Sequence, residues 1–166
     1  MNKNKNVKKK DIKTKKTALS LQNRLAFVQL IVAVMTLGVG VVTICVMKQI
    51  SNAANLLYIQ SDIQQKSAAV LSITDELNST NAAFPNPDGE ERNIIRKIEK
   101  QETDAIYALL NTYEFACQQY KERNIDRKVF RHLYGDDTLE YLLDKYKGYI
   151  SSNKYTSIKN VNKMWR

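Results

Sequence analysis

The apolar positions change their rhythm along the chain, and each change predicts an element. From Leu25 to Met47 there is no rhythm. The run LAFVQLIVAVMTLGVGVVTICVM holds 23 residues without a charge, and only Gln29, Thr36 and Thr43 are polar. As a helix it reaches about 34 Å, enough for a hydrocarbon core about 30 Å thick. A fully buried core helix would need more surrounding chain than 166 residues supply, and a secretory signal would carry a shorter apolar core. A membrane span over 25–47 is therefore expected. Beyond it, Leu56, Ile59, Ile63, Lys66, Val70, Ile73 and Leu77 recur at alternating three- and four-residue steps. That spacing predicts a stalk helix over 48–77 that pairs with copies of itself or packs on the body.

The segment NSTNAAFPNPDGEE (78–91) clusters Asn, Ser, Gly and two prolines and predicts a loop. From 92 to Tyr120, apolar residues such as Ile94, Ile98, Leu109, Tyr113 and Cys117 recur at helical spacing, predicting one long amphipathic helix. Two shorter helices follow, about 126–134 and 138–150. They are split by GDDT, where Gly135 ends the first and Asp136 or Asp137 caps the second. The tail from Ser151 has weak periodicity; Trp165 anchors it to the body or to a membrane surface. No stretch alternates with period two, and there is no Gly-rich phosphate loop. The predicted fold class is all-α: one N-terminal transmembrane helix continuing into a stalk, then a small helical domain over 92–166.

Charge refines this picture. Residues 1–24 carry nine Lys/Arg against one acid, Asp11, whereas residues 25–166 carry 17 basic and 16 acidic side chains. The basic balance belongs to an arm beside an apolar run, the pattern of a membrane flank and not of a nucleic-acid-binding domain. After the span, Lys48 and Lys66 are the only basic residues in the next 20. The positive-inside rule then places the arm in the cytoplasm and the body outside. Cys45 and Cys117 stand 72 positions apart with no CxxC, and the chain has one histidine. No disulfide framework, metal, cofactor or small-molecule substrate is implied. Within the span, Thr36, Gly40 and Thr43 fall along one stripe with Ala33 beside it. Small residues at this spacing let helices approach closely, so these four are the candidate oligomer and pore-lining positions.

The candidate chemistry is DRKVFRHLYG (126–135), which places Arg127 four intervening residues before His132. On a regular helix the two stand about 140° apart and share no face. The pair makes better sense when two chains each present it across a dimer groove. The spacing resembles the motif of the HEPN ribonucleases. That resemblance implies a HEPN-like body, His132 as acid or base in attack by an RNA 2′-hydroxyl, and Arg127 steadying the phosphate. Lys128 departs from the family, which carries Asn, Asp or His after the arginine. On the residues alone, Arg127 pairs with Asp126 or Glu122 and His132 caps a helix end, so a structural role is expected over an enzymatic one.

Basic arm, single span, helical body and divergent R-x4-H together resemble the small membrane accessory protein of bacterial type VI-B CRISPR systems. The resemblance implies antiviral defence: an oligomeric inner-membrane pore that enhances an RNA-guided RNase effector. Its expected partners are copies of itself, membrane lipid, and that effector or RNA. It implies a cytoplasmic body, against the charge rule. Residues 109–126, LLNTYEFACQQYKERNID, also resemble uncharacterised bacterial membrane proteins with a Leu-Asn-x-x-Glu helix. A membrane-tethered HEPN-type ribonuclease and a scaffolding membrane protein are the competing readings.

Overall fold

A computed structural model of the chain describes the backbone of residues 3–135, 137–150 and 153–166, and the side chains from Leu25 onward within those ranges. The side chains of the basic arm, and Asp136 as a candidate cap, lie outside the described residues. The elements are α1 (Lys3–Ala83), α2 (Gly89–Glu122), α3 (Arg127–Tyr134), α4 (Thr138–Lys145), a 3-10 turn (Lys147–Tyr149) and α5 (Thr156–Trp165). There is no strand among the described residues. The chain divides into two compact units, Met1–Lys48 and Gln49–Arg166.

In the first unit, every described side chain of the apolar run is exposed, Leu37 and Ile44 among the most open at 71% and 69%. This is the one helix long and apolar enough to cross a membrane by length and composition among the described residues. Its two threonines satisfy themselves. Thr36 and Thr43 donate their hydroxyls to the carbonyls of Val32 and Val39, each at 2.8 Å, which removes the cost of a bare hydroxyl in hydrocarbon.

The second unit is a helical domain that includes the back half of α1. Leu56, Ile59, Ile63 and Val70 are buried in one core with Leu110, Tyr113 and Cys117 of α2, Phe130 of α3, Leu139 of α4 and Ile158 of α5. Of the two partners expected for the seam over 48–77, copies of the chain or its own body, the body is the one it meets. The seam is consumed inside the domain, because α1, α2 and the short helices close a core that α2 alone could not cover. The domain accordingly begins at Gln49, not at 92.

The expected loop over 78–91 shrinks at both ends. Helix α1 runs on to Ala83, with Ser79 and Thr80 hydroxyls donated to the Glu76 carbonyl. Pro85 and Pro87 then stop it, since proline cannot continue the ladder and disfavours helix in the residue before it. Helix α2 starts with a capping box. Asp88 accepts from the amides of Glu90 and Glu91, and Glu91 accepts from the Asp88 amide at 2.9 Å.

The predicted helix over 138–150 is shorter, Thr138–Lys145 followed by the 3-10 turn, because Gly148 weakens its last turn. Asp137 holds the N-cap position of α4, its carbonyl accepting from the Tyr141 amide at 2.8 Å, but its side chain makes no cap hydrogen bond. Gly135 does end α3. A side-chain carbon at Gly135 would lie 2.2 Å from the Arg131 carbonyl oxygen, so the backbone there admits only glycine. The weakly periodic tail is ordered as α5, burying Ser157, Ile158, Val161 and Asn162. Trp165 anchors it to the body, its indole N–H donating to the Tyr120 hydroxyl at 3.0 Å.

One defect sits beside α5. Tyr155 is buried in the left-handed conformation, and its hydroxyl has no hydrogen-bond partner. A buried donor without a partner costs roughly 1–3 kcal/mol. Tyr155→Phe is therefore expected to leave stability unchanged or raise it by about 1 kcal/mol, read as a higher urea midpoint. A lowered midpoint would mean that the hydroxyl is bonded.

Candidate functional site

The sequence places its candidate chemistry on α3, and the helix keeps the two residues apart. Asp126 begins α3 by accepting from the amides of Lys128 and Val129 at 2.9 and 3.1 Å. Arg127 turns toward the core and lies over the Tyr120 ring, 4.5 Å from its centre, with one guanidinium nitrogen 3.3 Å from the Tyr120 hydroxyl. His132 is exposed on another face, and its ring makes no hydrogen bond or ion pair among the described residues. The helix that carries them therefore does not gather Arg127 and His132 into one intrachain site. The expected partners of Arg127 are also corrected. Asp126 is committed to the helix cap, and Glu122 bonds to Gln118 and Asn124.

Tyr120 is the junction that replaces them. Its hydroxyl accepts from Trp165 of α5 and from Arg127 of α3, tying both helices to α2. Burial would raise its pKa, but hydrogen bonds from Trp165 and Arg127, and the positive charge of Arg127, bring it below the usual tyrosine range. The rings of Phe130 and Trp165 complete the cluster, 5.5 and 5.3 Å from Tyr120. Arg127 thus contributes a stacked, hydrogen-bonded cation at a three-helix junction.

Glu114 of α2 holds the start of α5. Its two carboxylate oxygens accept from the amides of Ser157 and Ile158 at 2.8 and 3.0 Å. The residue before α5 is Tyr155, which has no oxygen able to reach back, so the cap is supplied from another helix. Cys117, one turn along α2, is fully buried. Burial, and then the charge of Glu114, push its thiol well above the usual cysteine range, which makes it unreactive.

A polar group lies between α1 and α2. Lys66, the one charge in the apolar seam, donates to Asp62 at 2.9 Å and to the Thr112 hydroxyl at 2.7 Å. Thr112 donates on to Asp62 at 2.8 Å. Together with Tyr58, Asn111 and Phe115 they line a shallow cavity of about 280 Å³. The hydrogen bond from Lys66, aided by Thr112 and outweighing burial, holds Asp62 below its ordinary value of 3.8. Because the folded-state pKa is depressed, this contribution is complete above the ordinary value and is lost as pH falls through the lowered one. Asp62→Asn is expected to flatten that part of the acid-unfolding curve. An unchanged acid limb would remove Asp62 from the account.

Sequence reasoning missed Glu114, Thr112 and Asp62 as organising residues. For Asp62 and Thr112 the available signal was a lysine inside an apolar seam, since such a charge requires partners; Glu114 stood in the Leu-Asn-x-x-Glu stretch with no role assigned to it. No group of three or more His, Cys, Asp or Glu side chains able to hold a metal occurs among the described residues.

Residues 25–163 match the profile of a family described as a domain of unknown function, DUF4760. The chain belongs to the DUF4760 family. No curated protein and no solved structure matches it significantly. The DUF4760 match opens at Leu25, the first residue of the apolar run, and runs through α2, α3 and α4 into α5, ending at residue 163. Apolar run and body are therefore one family unit. Leu110-Asn111-x-x-Glu114 lies inside it: Leu110 is fully buried, Glu114 caps α5, and Asn111 is exposed at the cavity.

Proposed function

We propose that this DUF4760 protein is a single-pass inner-membrane protein that works by assembling copies of itself in the bilayer. One observation carries the reading. The 23-residue uncharged run is exposed on every described side chain, while the body attached to it closes its own core. A helix open on all sides is stable only when lipid or other helices surround it. The resemblance to the type VI-B accessory protein adds the finer proposal. The assembly opens the membrane as a pore during antiviral defence, alongside an RNA-guided effector, with a HEPN-like body in the cytoplasm.

Gly40 gives the test. A Cβ added there meets nothing within 4 Å in its own chain, and every neighbouring side chain of the run is exposed, so Gly40→Leu is expected to leave the monomer intact and to act between chains. Native mass spectrometry in mild detergent should give an oligomer for the wild type and smaller assemblies for Gly40→Leu. Dye leakage from liposomes should fall in parallel. A monomeric wild type would end the assembly reading, and an oligomer without leakage would end the pore. Orientation is read on intact spheroplasts with an impermeant thiol reagent, on a Cys45→Ser, Lys97→Cys chain. Lys97 is exposed on α2 and Cys117 is buried, so only the new thiol reports. Labelling before lysis would mean an external body and would exclude a cytoplasmic effector as partner.

The ribonuclease reading draws on the exposure of His132, which leaves its ring open to a second chain. RNA cleavage by purified wild type, lost in His132→Ala, would establish it. We expect no cleavage, because Arg127 is engaged by Tyr120.

A further inference from the structure

Helix α1 carries two heptad series within the second unit, and the domain uses only one. Leu56, Ile59, Ile63 and Val70 are buried in the core. A second series, Ala54, Leu57, Ser61, Gln64, Ala68 and Leu71, has the same alternating spacing, and every member is exposed. Ile50 precedes it in phase. Ile50, Leu57 and Leu71 stand 64%, 66% and 59% open. Single exposed apolar side chains are ordinary, but a whole heptad series left open is a face made for another helix.

We infer that this second face of α1, between Ile50 and Leu71, docks a second copy of the chain as a parallel, in-register coiled coil. The inference rests on the self-assembly proposed above and names its interface in the body. Three features select a copy as the occupant. First, the chain is uncharged from Gln49 to Ser61, and the positions flanking the series, such as Tyr58, Gln60, Gln65 and Ser67, are uncharged as well. In coiled coils those flanks choose the partner by charge. A neutral flank meets its own copy without repulsion and offers nothing to a charged stranger.

Second, the series keeps phase with the span. Counting back in sevens from Ala54 reaches Met47, Gly40 and Ala33, and from Ile50 it reaches Thr43 and Thr36. The four small residues that favour close helix approach in the bilayer thus fall in the same heptad series as the open face. Third, copies inserted through the same helix point the same way at the same depth. That is the arrangement an in-register parallel pair needs, and confinement raises the effective concentration at which a short seam suffices. Small residues alternate with large ones along the face, which brings helix axes close, and Gln64 is a polar position able to fix register.

Disulfide trapping in native membranes tests this. On a Cys45→Ser background, single cysteines replace Leu57, Ser61 or Gln64 on the face, and Ala69 or Glu76 off it. Cysteines bridge only when their Cα atoms come within about 7 Å, and an in-register pair sets each residue of the face opposite its own copy. We expect oxidised dimers at Leu57, Ser61 and Gln64 and none at Ala69 or Glu76. Adding Leu57→Arg, which leaves the buried series untouched, should abolish the Gln64→Cys dimer. Native mass spectrometry on the same samples separates the outcomes. An oligomer that cross-links at no face position, or equally off the face, overturns the inference and leaves self-assembly standing. A monomer overturns both. Adducts to a different protein would assign the face to that protein instead.

Discussion

Glu114→Ala is expected to lower the stability of the body by about 3 kcal/mol, and Glu114→Gln by roughly half as much. Helix α5 is ten residues long and begins after a left-handed tyrosine that cannot cap it. A helix this short does not persist alone, so its stability comes from what holds its ends and its buried face. At its start, the Glu114 carboxylate takes the amide hydrogens of Ser157 and Ile158. Both residues are buried, so without the carboxylate their amides have no water to turn to. Hydrogen bonds to a charged group contribute about 1.5–3 kcal/mol each. Glutamine keeps one acceptor but turns an N–H toward the second amide. Loss of the cap should also loosen the far end of α5, where Trp165 reaches Tyr120. Denaturant midpoints of the two variants give the magnitudes, and amide exchange at Ile158 and Val161 locates the loss. A change below about 1 kcal/mol in Glu114→Ala would mean that the cap is redundant.

What was legible in the sequence was whatever depends on neighbours in the chain. The apolar run and the stop at Gly135 are local, and periodicity places α1 and α2 well. The seam on α1 was legible as a seam, but a heptad pattern does not say whether its partner is a copy or the chain's own body; burial beside Leu110 and Tyr113 decides that. Helix α5 was not legible because its signals are remote. Its cap comes from Glu114, more than 40 residues upstream, and its anchor from Tyr120. The loop at 78–91 was overextended because Asn and Ser are disfavoured in helices, yet Ser79 and Thr80 bond back to Glu76 and the helix continues to the prolines. For the site, spacing alone separated Arg127 from His132, and the structure supplies the reason Arg127 is there. Its cation lies on a ring that no local pattern connects to it.

Two arginines in the apolar run should release the protein from the membrane where one does not. Thirteen of the residues from Leu25 to Met47 are Leu, Ile, Val or Phe. At about 0.3–0.6 kcal/mol each, they favour insertion by roughly 4–8 kcal/mol. One arginine at the centre costs about 3 kcal/mol, within that margin, and its long side chain can reach toward the interface. Two cost about 6 kcal/mol and cancel it. Leu37→Arg is thus expected to stay with lipid after carbonate extraction and to float in a density gradient. Val34→Arg with Leu37→Arg is expected to remain at the bottom. The body gives an internal control. Both positions are exposed in a unit separate from the core of Gln49–Arg166, so the released protein should keep the melting transition of that core. If the double variant still floats, the apolar run is not what holds this protein to the membrane. If the single variant already fails to float, the insertion margin is thinner than its side chains imply, and assembly with other copies must supply the difference.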